Sequence, residues 1–186
     1  MKKILFLYYS LSGHTERMVL AAAEGAREAG AEVIIKQTPD AERDDLVNCD
    51  AVIMGTGNYF QKEAGKFRDY WDRYDYDWLK IKKEIGIKPM GWVVSAGVGG
   101  DACTATVNGL MRALNFRRVF PNVVAFEDPT EADIENSRKL GRDMALMEPA
   151  DDYQELDPPK VSGRWKWPEK IYVIAWKGVG VEVTKA

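Results

Sequence analysis

One histidine and two cysteines are the whole supply of imidazole and thiol groups in this chain of 186 residues, and that scarcity removes several functions at once. Cys49 and Cys103 form no C-x-x-C pair and stand at no metal-ligand spacing with His14, which argues against a zinc site and a disulfide framework. The same usage is what a reducing cytoplasm expects. Neither charge sign dominates, since 26 Lys and Arg against 29 Asp and Glu leave a net charge of −3. The basic footprint of a nucleic-acid binder is therefore missing, as is the strongly acidic surface that steers basic partners. No apolar run approaches the roughly 20 residues that span a bilayer. The opening MKKILFLYYS pairs two lysines with a short apolar stretch but lacks a small-residue cleavage site, so it reads as a first strand.

What is present is the composition of one ordinary domain, with 46% hydrophobic and 30% charged residues. Strand and helix patterns alternate along residues 1–148. Ile4 to Tyr9 is continuously apolar, and a helix from about Thr15 to Ala29 follows, with Gly30 as its stop. Val33 to Ile35 makes a second strand, a polar helix spans about Ala41 to Asn48, and Ala51 to Met54 makes a third strand. Phe67, Tyr70, Trp71 and Tyr74 then recur at i, i+3, i+4 and i+7 on one helix face. A fourth strand at Trp92 to Val94, a helix carrying Val107, Leu110, Met111 and Leu114, a fifth strand at Val123 to Phe126 and a helix from Asp128-Pro129-Thr130 to about Met147 complete the pattern. Such alternation predicts a parallel sheet with helices on both faces. The proline-rich, acidic stretch from Glu148 to about Pro168 breaks it. After that stretch IYVIAWKGVGVEV predicts a β-hairpin turning near Lys177-Gly178, so residues 149–186 read as an extension.

In an open parallel sheet, ligands bind beyond the carboxyl ends of the strands. The loops there, after the first, third and fourth strands, are SLSGHT (10–15), GTGNYF (55–60) and SAGVGGD (95–101). Each contains glycine and joins a strand to a helix. The first has a direct physical meaning. Peptide N–H groups at a helix start lack partners and the helix dipole favours negative charge there, while Ser10, Ser12 and Thr15 add hydroxyl donors and Gly13 permits close approach. One hydroxyl alone would serve as an N-cap. Three around a glycine point to a phosphate. The G-x-x-x-x-G-K-[ST] loop of nucleoside triphosphate sites is absent, and donors without a cation suit a phosphate monoester. Gly97, Gly99 and Ala102 mimic a dinucleotide fingerprint, but they follow the fourth strand rather than the first.

With Ser10-Leu11-Ser12-Gly13-His14-Thr15 in view, the chain resembles the flavodoxin-like FMN proteins, whose first loop reads [ST]-x-[ST]-G-x-[ST]. YYSLSGHTERMVLAAAEGA, GTGNYFQKEAGKFRDYWDR and SAGVGG are most similar to the NAD(P)H:quinone oxidoreductase branch, across about residues 1–148. The resemblance implies a three-layer, doubly wound α/β fold with a five-stranded parallel sheet in the order 2-1-3-4-5, plus the C-terminal hairpin. It implies that Ser10, Ser12, Gly13, His14 and Thr15 hold an FMN phosphate. Gly57, Asn58, Tyr59 and Phe60 would meet the isoalloxazine, and Ala96, Gly97, Val98, Gly99 and Gly100 would close its other side. The branch usually has Pro-Thr-Arg-Phe-Gly where this chain has Gly57-Asn58-Tyr59-Phe60-Gln61, and tends to carry a third-loop histidine that this chain lacks. Both departures fall on the substrate side, not on FMN.

The function expected is transfer of reducing equivalents from NAD(P)H through FMN to a quinone or other small acceptor, in a cytoplasmic homo-oligomer with no membrane span and no nucleic-acid partner. The alternative is a one-electron carrier between redox proteins. No catalytic acid, nucleophile or metal ligand is assigned, because the cofactor carries the chemistry. Cys103, near a helix start, reads as a small buried hydrophobe rather than a thiolate, and Asp72, Asp75 and Asp77 as a solvated helix end. Trp165, Trp167 and Trp176 in the extension are expected to dock on the domain or a second subunit, or to cover the flavin.

Overall fold

A computed structural model describes residues 1–98, 102–150, 153, 170–174 and 180–184. Its main sheet contains β1 (Lys3–Tyr8), β2 (Glu32–Gln37), β3 (Ala51–Gly57), β4 (Lys88–Ala96), β5 (Phe116–Arg118) and β6 (Val123–Phe126). Between them lie α1 (His14–Glu28), α2 (Arg43–Val47), α3 (Gly65–Asp72), α4 (Trp78–Ile85) and α5 (Ala102–Ala113), and α6 (Glu131–Leu146) follows β6. All pairings in this sheet are parallel, in the order β2-β1-β3-β4, with β5 and β6 both on the outer edge of β4.

The expected fifth strand is therefore built in two pieces. Met90 faces Arg118 and Val93 faces Val123, so residues 119–122 stand opposite Gly91 and Trp92 alone and must bulge out. Pro121 within that bulge has no N–H for a ladder. Pro89 inside β4 is tolerated for a related reason: Lys88 N–H donates towards Asn115 on the β5 side, so Pro89 faces β3, whose pairing begins only at Met90. The sequence also left α4 unread, and Tyr74 falls just beyond α3 despite its helical spacing.

Strand residues alternate between two cores, as their period of two dictates. Ile4, Phe6, Ile53 and Val93 pack under Met18, Val19, Ala22 and Ala26 of α1 and Leu140 and Met144 of α6. Leu5, Leu7, Val52, Met54, Trp92 and Val94 pack against Phe67, Tyr70 and Trp71 of α3, Ile81 and Ile85 of α4, and Val107 and Met111 of α5. Three layers result, and every helix-bearing loop emerges at one edge or the other of the sheet. At the amino edge two lysines close helix ends. Buried Lys88 donates to the Leu46 and Val47 carbonyls at 2.6 and 2.8 Å, and Lys2 to those of Met144 and Met147. Burial pushes the Lys88 ammonium below its ordinary pKa, and the α2 carbonyls it meets favour the charge.

At the C-terminal end β7 (Lys170–Ile174) and β8 (Gly180–Thr184) pair antiparallel, which is the expected hairpin. The Lys177-Gly178 turn and Trp165, Trp167 and Trp176 lie outside the described residues. No helix among the described residues is long and apolar enough to cross a membrane.

Candidate functional site

The first loop leaves β1 after Tyr8 and enters α1 through Gly13, whose φ of 88° lies in the left-handed region that glycine tolerates best. No side chain caps α1: the N-cap is Gly13 itself, and the Ser10 hydroxyl accepts from the Gly13 N–H at 3.1 Å instead. A 15-residue helix thus opens with its first-turn donors unspent on a side-chain cap. Ser12 is exposed, and Ser10 and His14 are half-buried. Thr15 is buried, and its hydroxyl lies 2.8 Å from the Ser95 hydroxyl at the end of β4. When Ser95 donates in that pair, the Thr15 proton stays available to an anion at the helix start.

The second loop is braced from below. Thr56, fully buried, accepts from the Ala64 N–H and donates to the Gly57 carbonyl, both at 3.0 Å, which closes the loop at its base. The Tyr59 ring lies against Gly57, where an added Cβ would sit 2.7 Å from the ring, so glycine is what lets the ring settle there. The phenol is raised above its ordinary pKa by burial and faces the Leu11 backbone, tying the second loop to the first. Asn58 N–H donates to the Ser95 carbonyl at 2.8 Å and its side-chain amide to the Val98 carbonyl, while its Oδ1 is buried without a partner among the described residues. Together with α3, Tyr9, Leu11 and Tyr59 border an open cavity of about 470 Å³.

Tyr59 and Lys62 exchange two backbone hydrogen bonds across Phe60 and Gln61, whose φ values of 52° and 67° are both positive. That is the sign pattern of a type I′ turn, which prefers Asn-Gly, and a bulky aromatic in it is strained. Phe60 is also wholly exposed. Strain and exposure together mark a position kept for something other than stability. Exchanging Phe60-Gln61 for Asn-Gly is expected to raise unfolding free energy by about 1 kcal/mol or more, read as a higher urea midpoint at constant slope. An unchanged midpoint would show that the turn holds no strain.

The third loop begins with buried Ala96 and exposed Gly97 and Val98; Gly99 and Gly100 lie outside the described residues. Nothing stands within 4 Å of a Cβ built on Gly97, so this glycine faces open space. A fourth connection, after β6, joins the cluster. Glu127 N–H donates to the Ala96 carbonyl at 2.8 Å, and Asp128 pairs with Arg17, with His14 Nε2 3.9 Å away. Arg17, in the first turn of α1, is thus already matched by a carboxylate. Thr56, Ser95 and Asp128 are the structural neighbours of these loops that sequence reasoning missed. Ser95 opens the third glycine loop and Thr56 sits inside the second, so their positions were visible, but their partners across the sheet were not.

Among the sequence-predicted residues, Ser10, Ser12, Gly13, Asn58, Tyr59, Gly97 and Val98 lie in connections at this one edge, His14 and Thr15 in the first turn of α1, and Gly57 and Ala96 at the ends of β3 and β4, while Phe60 is wholly exposed beside them. Cys103 is fully buried, as expected of a small hydrophobe. Burial pushes the Cys49 thiol up to about 11, so it is no nucleophile near neutral pH. No group of three or more metal-ligating side chains exists among the described residues. The arrangement suits a phosphorylated ligand with a flat ring: an uncapped helix start with hydroxyls at one end, tyrosine and glycine walls at the other, and an unpaired amide oxygen between loops.

No family model matches the chain. Among curated proteins it is similar to the NAD(P)H dehydrogenase (quinone) of Rhizobium rhizogenes, 37% identical over 102 residues, covering 44% of this chain and 51% of that protein. The protein of the same name from Rhodopseudomonas palustris strain HaA2 is 41% identical over 100 residues, with 43% and 50% covered. The chain therefore spans about half the length of the curated relatives it matches. Among solved structures, the flavodoxin WrbA-like protein from Agrobacterium tumefaciens superimposes with a TM-score of 0.65 at 21% identity, covering 78% of this chain and 96% of that one. That likeness, with the parallel sheet and three layers described above, gives the chain a flavodoxin-like fold.

Proposed function

We propose that the chain binds FMN non-covalently at this edge and passes reducing equivalents from NAD(P)H to a quinone or other small acceptor. The observation that carries the reading is the convergence of three glycine-containing loops on one sheet edge beside an α1 start that no side chain caps. Ser10, Ser12, Gly13, His14 and Thr15 hold the phosphate through backbone N–H groups and hydroxyls. Gly57, Asn58, Tyr59 and Phe60 meet one side of the ring, and Ala96, Gly97, Val98, Gly99 and Gly100 the other. When bound, the flavin supplies the hydride chemistry; the protein supplies binding, orientation and exclusion of water. The unpaired Asn58 Oδ1 is an acceptor of the kind a ring N–H or ribityl hydroxyl satisfies. With Arg17 paired to Asp128, the reading assigns the phosphate to neutral hydroxyls and backbone N–H groups.

The names of the curated relatives support nicotinamide nucleotide and quinone as substrates. Two buried free thiols fit a reducing cytoplasm. Steady-state oxidation of NADH or NADPH in the presence of a quinone tests the reading. Turnover that requires added or retained FMN is the expected result, and an FMN-loaded protein that oxidises neither nucleotide with any acceptor overturns it.

A further inference from the structure

Between the first loop, the second loop and α3 lies the open cavity of about 470 Å³, which the flavin reading leaves unused. No described residue of the third loop lines it. The second loop accounts for the division. Asn58 reaches towards the third loop, donating to the Ser95 and Val98 carbonyls, whereas the Tyr59 phenol faces the Leu11 backbone of the first. The space assigned to the flavin ring lies on the Asn58 side, between the second and third loops, and the cavity lies on the Leu11 side. Tyr59 is the wall they share.

The walls and charges of the cavity select one class of ligand. Tyr9 and Tyr59 supply aromatic surface, and Leu11, 73% exposed, adds an apolar side chain with nothing over it. Gly65 keeps the start of α3 clear, since no atom stands within 4 Å of a Cβ built there. Flat heteroaromatic bases stack on surfaces of this kind. Lys66 lines the cavity, and Lys62 is held beside it by the two backbone hydrogen bonds it exchanges with Tyr59. Neither lysine enters an ion pair among the described residues, whereas Arg68 and Arg73 of the same segment do. Asp69 is the one carboxylate among the described lining residues, and it is 3.8 Å from Arg73. Dinucleotide sites hold an adenosine 2′-hydroxyl with a carboxylate and an adenosine 2′-phosphate with a cation. Here the cations are uncommitted and the acid is not.

We propose that this cavity takes the adenosine 2′-phosphate end of NADPH, with the base against Tyr9, Leu11 and Tyr59 and the 2′-phosphate at Lys62 and Lys66. The chain then uses NADPH in preference to NADH. A dinucleotide anchored there has its other end beside Tyr59 and the ring space. The choice of ligand rests on the flavin reading, so the test uses adenosine phosphates, which need no flavin in order to bind.

Isothermal titration calorimetry of the full chain with adenosine 2′,5′-bisphosphate and with adenosine 5′-monophosphate, each with and without FMN, reads the cavity directly. The bisphosphate is expected to bind about tenfold or more tightly than the monophosphate, as one charge-assisted contact to phosphate provides. Lys62→Gln/Lys66→Gln is expected to bring the two to equal affinity with FMN affinity unchanged. The same exchange at Lys80 and Lys83, exposed on α4, is expected to preserve the difference. Equal affinities in wild type, binding of neither probe, or a difference that survives in the Lys62/Lys66 variant overturns the inference. FMN titrated into the same preparations separates the two failures. FMN binding without nucleotide discrimination removes only the NADPH site, whereas discrimination without FMN binding supports the cavity and removes the flavin reading.

Discussion

Replacing Ser12 and Thr15 together by alanine is expected to weaken FMN binding by about a hundredfold or more and to leave riboflavin binding nearly unchanged. A hydrogen bond to a charged group contributes about 1.5–3 kcal/mol, so two such bonds are worth at least roughly 3 kcal/mol, and each 1.4 kcal/mol is tenfold in affinity. Riboflavin carries the same ring and ribityl chain without the phosphate, so it isolates the first loop from the other two. The comparison is needed because Thr15 has a second role: its loss also leaves the buried Ser95 hydroxyl without its partner. That costs stability whichever ligand is present, on the order of 1 kcal/mol. Fluorescence titration of both ligands checks the expectation. Equal weakening of FMN and riboflavin would mean that the loop is a scaffold, and no weakening would return Ser12 and Thr15 to the role of helix start.

Gly141→Ala is expected to destabilise the protein by about 3 kcal/mol or more, a loss of roughly 6–12 °C in Tm for a domain of this size. A Cβ built on Gly141 of α6 would stand 1.7 Å from the Ala22 carbonyl oxygen of α1. Gly25 of α1 has the reciprocal problem, with the Arg138 carbonyl oxygen of α6 at 2.0 Å. The two helices thus touch backbone to backbone at both points. No rotamer change can relieve either clash, so the helices must separate, and both roof the core containing Met18, Ala22, Leu140 and Met144. Glu28 adds pairs to Arg138 and Arg142 around the contact, but partly exposed ion pairs cannot offset a displaced helix. Thermal unfolding checks the effect. A shift of 2 °C or less would show that α6 slides over α1 without loss.

Much of the fold was legible because it repeats one pattern. Continuous apolar strands covered on both faces and helices with apolar spacing identify β1, α1, β3 and α6 directly, and Gly30, with a φ of 86°, ends α1 as expected. The elements that escaped notice are those whose local pattern is weak or interrupted. Phe116–Arg118 is too short to read as a strand and takes its form from pairing with Lys88 to Met90. The helix Trp78–Ile85 buries only Ile81 and Ile85, so it has no full apolar face to announce it. At the candidate site, glycine and hydroxyl residues marked in the sequence the three loops that the sheet brings to one edge, since loop chemistry is local. The Thr15–Ser95 hydrogen bond joins residues 80 apart in the chain and the Arg17–Asp128 pair joins residues 111 apart. Neither has a local signature. The same limit applies to Phe60, whose positive φ only the backbone discloses.

The most direct measurement is the visible spectrum of the FMN-loaded protein under anaerobic conditions, followed as NADH and then NADPH is added. The account predicts that one of the two nucleotides bleaches the bound-flavin band fast enough to sustain turnover, and that a quinone or other small acceptor restores it. A band that only dithionite bleaches would contradict the reductase and leave an electron carrier. A protein that binds no FMN would contradict the site itself.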